Sequence, residues 1–209
     1  MKTKMAVLVA VLALMFTGAF AADTSALHPP AGSRIALVVF EDLECPACAK
    51  ADPLLTQAER NYGMPLVRHD FILPQHNWSQ QAHIMARYFD TQSLQLGEAF
   101  RQYIFANQNG VYKTNLRNWA EKFASEHHTA LPQFYDPSGE LQRKVMADTK
   151  LGAATGVHQT PTIYVVSNSP QVPPQEVTDQ NKLFETIEKV KTALGPAPAV
   201  KSAKVTKKK

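Results

Sequence analysis

A chain of 209 residues with 44% hydrophobic and 19% charged side chains carries enough apolar material for one full core, which excludes a wholly disordered chain. The net charge of +4 comes from the ends: of the 22 Lys and Arg, Lys2 and Lys4 open the chain and Lys201, Lys204, Lys207, Lys208 and Lys209 close it. The body between them is slightly acidic against 18 Asp and Glu, so no nucleic-acid partner is expected for it.

Residues 1–21 read as an export signal: a positive start, an apolar run from Met5 to Phe16, and a small-x-small site at Ala19-Phe20-Ala21. An uncleaved membrane anchor is the other reading of Met5 to Ala22; Thr17, Gly18 and the cleavage site favour removal after Ala21. A periplasmic or otherwise exported location follows. Residues 22–33 form a short lead-in without periodicity. Ile35 to Phe40 is a continuous apolar run, the pattern of a strand buried on both faces.

Cys45-Pro46-Ala47-Cys48 comes next, and these are the only two cysteines. Cys45 opens a predicted helix running to about Tyr62, with Gly63 as its stop and Pro53 inside it as a kink. Two intervening residues on the first helical turn bring both sulfurs within reach of one disulfide ring. The first sulfur faces the unpaired N–H groups and positive dipole end of the helix, which favour a thiolate. Cys45 is therefore the expected nucleophile and Cys48 the resolving thiol. A ring this short barely restricts an unfolded chain, so the pair is reactive rather than a staple. Half of a zinc site is the bland alternative, but no histidine shows ligand spacing with a partner, and no metal is expected.

Met64 to Leu73 reads as a second strand, completing a βαβ unit. Residues 75–149 turn helical: Ile84, Met85, Tyr88 and Phe89 share a face, as do Leu96, Phe100, Tyr103 and Ile104, then Leu116, Trp119, Ala120 and Phe123. Asp136-Pro137 starts a further helix carrying Leu141, Val145 and Met146. Trp78 and Trp119 are expected in the core. Pro161 precedes a third strand, Thr162 to Val166; a fourth short strand is expected near Val177, and Leu183, Ile187, Val190 and Leu194 define a last helix. The Pro, Ala and Lys tail, 195–209, is expected to be disordered.

These residues carry a resemblance. Phe40 to Cys48 resembles the strand, acidic turn and CPxC signature of the DsbA-like thioredoxin-fold thiol:disulfide oxidoreductases, and Pro53 stands where the family kinks its active-site helix. Val157-His158-Gln159-Thr160-Pro161-Thr162 resembles the family's cis-proline loop. The resemblance covers Arg34 to Leu194. It implies an α/β fold: a central mixed sheet flanked by helices, built from 34–74 and 150–194, with 75–149 inserted as a helical domain between the second and third strands.

It also implies an exported enzyme that donates a Cys45–Cys48 disulfide to reduced client proteins through a mixed disulfide on Cys45, with Pro46, Ala47, Thr160 and Pro161 supporting. The redox-active disulfide would be its only cofactor, a quinone-linked membrane enzyme of the DsbB or VKOR type its reoxidant, and a monomer its state. The family's buried acid, six residues before the first cysteine, is here Val39. Proton exchange with Cys48 must then use water or another group, with Glu41 and Glu44 as candidates beside the alternative that both are solvated turn residues. His158 could tune the thiolate or be a plain loop histidine. Ala47 replaces the histidine found in strong oxidases. Isomerase or reductase activity, a copper(I)-binding chaperone of the same fold, and attachment to anionic polymers through the lysine tail are the other readings.

Overall fold

The computed structural model describes residues 23–196. The export signal, its cleavage site and the lysine tail lie outside the described residues. In chain order the elements are β1 (Ile35–Glu41), α1 (Pro46–Tyr62), β2 (Leu66–Asp70), α2 (Ser79–Gln92), α3 (Leu94–Asn107), α4 (Leu116–Glu126), α5 (Glu140–Ala154), β3 (Thr162–Ser167), β4 (Gln175–Glu176) and α6 (Leu183–Leu194).

The four strands form one sheet in the order β2-β1-β3-β4. β1 pairs in parallel with β2 and antiparallel with β3, and β3 pairs antiparallel with β4. The mixed ladder follows from the connections: α1 carries the chain back to start β2 beside β1, and the four insertion helices return it to run β3 the opposite way. This is the thioredoxin-like fold with a helical insertion.

β1 is the central strand, and its alternating side chains feed two cores. Leu37 and Val39 pack with Leu55 and Ala58 of α1, Ile163 and Val165 of β3, and Ile187 and Val190 of α6. Ala36, Val38 and Phe40 pack on the opposite face with Phe71, Tyr164 and Val166, against which Leu151 of α5 rests. A third core fills the insertion, where the rings of Phe89, Phe100 and Phe123 meet at centroid distances of 4.8 to 5.1 Å. Leu43, Cys45, Cys48 and Trp78 belong to this third core, so the cysteines lie in the seam between the sheet and the insertion.

Local chemistry explains the boundaries. Gly63 takes the left-handed conformation at φ 58° to end α1, as its lack of a Cβ allows. Gly152 is required by close approach: a Cβ there would stand 2.4 Å from Phe71 Cδ2 and 3.0 Å from Phe40 Cδ1. One expectation is corrected. Met146 is 46% exposed on α5 while Leu141 and Val145 are buried, because α5 packs by a narrow stripe and its polar Asp148 and Thr149 also face the β2 end. The fourth strand lies beside Val177 as expected: Gln175 and Glu176 pair with β3 and Val177 N donates to Ile163 O at 2.8 Å, while Pro173 and Pro174 before them have no N–H to extend the ladder.

Candidate active site

Cys45 is the N-cap residue of α1, with extended backbone angles and Pro46 at the first helical position. Its carbonyl accepts the first helical bonds, from Cys48 N at 3.1 Å and Ala49 N at 3.2 Å. The cap places Cys45 Sγ over the open N–H groups and buries Cys48 one turn in. Both thiols are free.

The two sulfurs are held in opposite electrostatic states. Hydrogen bonding from the Cys48 thiol, with the backbone N–H groups of Cys48 and Ala47, outweighs burial and lowers Cys45 from 9.0 to about 5. Burial, the bond to Cys45 and the negative charge of Glu41 push the Cys48 thiol up. The Asp42 backbone N–H donates to Cys48 Sγ at 3.4 Å. An acidic thiol thus stands at the entrance and a protonated one behind it.

The Thr160–Pro161 peptide is cis, and its loop covers the sulfur: Cys45 Sγ lies 3.3 Å from Thr160 O, a hydrogen bond when the thiol carries its proton. Pro161, with no N–H of its own, begins the turn into β3. Pro46 and Ala47 are exposed beside it, while Cys45 keeps 6% of its surface open. A hollow of about 230 Å³ lined by Thr160, Pro161, Thr162, Glu176 and Gln180 flanks the loop.

The two candidate acids part company. Glu44 Oε2 accepts from Trp78 N at 2.7 Å and Ser79 N at 3.0 Å, capping α2, whose own N-cap residue Trp78 cannot do so. Glu41 is 1% exposed at the end of β1. It shares the strand face of Val39, two residues back, so the acid stands one pleat nearer the cysteines than Val39. Burial raises its carboxyl above the usual range despite Arg68. Oε2 accepts from Arg68 Nη1 at 2.6 Å, while Oε1 is buried with no protein partner. His158 is exposed, and no contact ties it to Cys45.

The turn between β1 and α1 is held from outside. Asp42 is fully buried and accepts from Glu44 N and Leu73 N, each at 2.8 Å. Leu43 has no strand partner; its N–H donates to His83 Nε2 at 3.1 Å and its carbonyl accepts from Gln108 Nε2 at 2.8 Å. Behind them Arg68 bridges Glu41, Asp52 and Glu98, each at 2.6 Å. Sequence reasoning missed Arg68, His83 and Gln108. The usable sign was a charge inside an apolar run, as with Arg68 in Leu66-Val67-Arg68-His69.

An adjacent dithiol at a helix entrance, its outer sulfur acidic and covered by a distant loop, defines the class of thioredoxin-fold dithiol proteins. A family model described as thioredoxin matches residues 31–188, and the chain belongs to that family. Among solved structures it is similar to ScsC of Proteus mirabilis (15% identity, TM-score 0.62, covering 78% of this chain and 70% of that one). It is also similar to DsbA2 of Pseudomonas aeruginosa (17%, TM-score 0.57, 80% and 94%). A third likeness is a periplasmic thioredoxin-like protein of Salmonella enterica serovar Typhimurium (16%, TM-score 0.60, 75% and 83%). A comparison with curated protein sequences returns no match.

Proposed function

We propose that the chain is an exported thiol:disulfide oxidoreductase that oxidises reduced client proteins. The observation that carries this reading is the contrast between the two sulfurs, an acidic Cys45 at the helix entrance against a buried, raised Cys48. An acidic leaving thiolate stabilises the dithiol, so the disulfide is readily given away.

In the oxidised protein a client thiolate attacks Cys45 Sγ. The sulfur–sulfur bond breaks and its electron pair goes to Cys48 Sγ. Cys48 needs a proton at that moment, and Glu41, raised by burial and electrostatically coupled to it, is the group we assign to relay one in from water. A second client thiolate then attacks the client sulfur, and Cys45 leaves as a thiolate stabilised where it stands. The client loses two electrons, and Cys45 and Cys48 gain them. An extended client segment would lie against the Thr160 backbone, beside the sulfur it must reach.

DsbA-type and ScsC proteins among the similar structures support the exchange reaction, and the periplasmic protein among them supports export. Reoxidation is assigned to a quinone-linked membrane enzyme of the DsbB or VKOR type, and the working state to a monomer. The deciding experiment is equilibrium against glutathione, reading the dithiol fraction by alkylation of Cys45. An oxidising potential supports the donor role; a strongly reducing one transfers the chain to the reductases.

A further inference from the structure

The turn that presents Cys45 takes its support from the helical insertion, and one of the supports can bind a proton. Leu43 is the second residue past the end of β1 and is fully buried, so its N–H needs an acceptor that no strand supplies. His83 of α2, with no exposed surface, provides it through Nε2 at 3.1 Å. A backbone N–H only donates, so Nε2 must hold a lone pair, and the ring proton sits on Nδ1. That nitrogen lies 2.8 Å from Asp70 Oδ1, the matching acceptor. A second proton on the ring would set N–H against N–H at Leu43, two residues from the nucleophile.

We propose that His83 is a positioning residue for Cys45 that acts only as the neutral imidazole, so that acid releases the Leu43 turn and slows disulfide exchange. The charges around the ring come from every side. Asp70 of β2 faces Nδ1 directly, and Arg87 of α2 occupies the other oxygen of Asp70 at 2.5 Å while also binding Asp148 of α5. Arg101 of α3 acts on Asp70, and the His83 ring acts on Glu41 of β1. The anion Asp70 is thus shared between His83 and Arg87. Gln108 holds the Leu43 carbonyl at 2.8 Å whatever the pH, so acid frees one side of the peptide and leaves the other tethered. The chemistry is local repositioning rather than unfolding.

The test rests on the exchange reaction proposed above and uses the full chain in its disulfide form. Reduction by dithiothreitol is timed from about pH 4 to about pH 8 for the natural chain, His83→Gln and His83→Leu. Taking the ratio of rates at each pH cancels the titration of the reagent. Gln presents an amide oxygen that accepts from Leu43 without titrating, and Leu presents none. The expected result is rescue by Gln at neutral pH, a loss of about tenfold in His83→Leu, and a natural-to-Gln ratio that falls about tenfold on acidification. A ratio flat with pH, or His83→Leu at the natural rate, overturns the proposal. Nitrogen NMR of the His83 ring in the natural chain reads the same point without any variant. A lone pair on Nε2 at neutral pH supports it; a protonated Nε2 there overturns it. Absence of exchange in all three proteins would instead defeat the function proposed above, and the NMR result would still decide the role of His83.

Discussion

Acidification should separate the contribution of Cys45 from that of every other group. Cys45 falls from 9.0 in the unfolded chain to about 5 in the folded one. The folded value is the lower, so the thiolate's contribution to stability is complete above the unfolded value and lost as pH falls through about 5. At about pH 7, roughly two units above the folded value, it amounts to about 2 to 3 kcal/mol of the reduced protein's stability. The same energy makes the disulfide more oxidising by about 40 to 60 mV. Urea unfolding of the reduced natural chain and of Cys45→Ser, each at about pH 7 and about pH 4, isolates it, because carboxylate protonation is common to both. The stability gap between the two should narrow by that amount in acid, while iodoacetamide labels Cys45 with a midpoint near pH 5. A midpoint near the ordinary thiol value, or a gap that does not change with pH, would refute the electrostatic reasoning.

Glu41→Gln should slow release of Cys48 by about tenfold to a hundredfold in a single-turnover reaction with a reduced peptide, leaving the pH midpoint of Cys45 alkylation near 5. Equal slowing of Cys45 alkylation would mean that Glu41 acts through structure alone. Arg68→Met leaves Glu41, Asp52 and Glu98 without their shared cation and should cost about 3 to 5 kcal/mol in urea unfolding; a loss below about 1 kcal/mol would mean the cluster is solvated. Gly152→Ala forces a Cβ to within 2.4 Å of Phe71, so a thermal midpoint several degrees lower is expected, from about 1 to 3 kcal/mol of overpacking.

The parts legible in the sequence are those whose cause is local. β1 declares itself by an unbroken apolar run, α1 by Pro46 and Gly63, and the reactive pair by its spacing. The insertion's aromatic faces likewise follow from helical period. Met146 misleads because period assigns a face without saying how wide the contact is. What stays hidden depends on register between distant segments. Arg68 reaches Glu41 across 27 residues and Glu98 across 30, and nothing near either acid announces a cation. Glu44 stands next to Cys45 and looks like chemistry, yet its carboxylate serves a helix 34 residues on. His83 is hidden for the same reason: its acceptor atom matters to a peptide N–H 40 residues earlier.

The brevity of β4 has a bearing on how such a molecule survives its proposed clientele. Unfolded chains dock on any long open row of backbone donors and acceptors, and a carrier of disulfides would meet many of them. At this margin the sheet offers a ladder of Gln175 and Glu176 that ends on the Val177 N–H, with two prolines just before it. A stray segment finds too few rungs there to hold. On the β4 side this leaves the bend at Thr160, whose carbonyl lies 3.3 Å from Cys45 Sγ, as the place where a client chain would pair beside the sulfur.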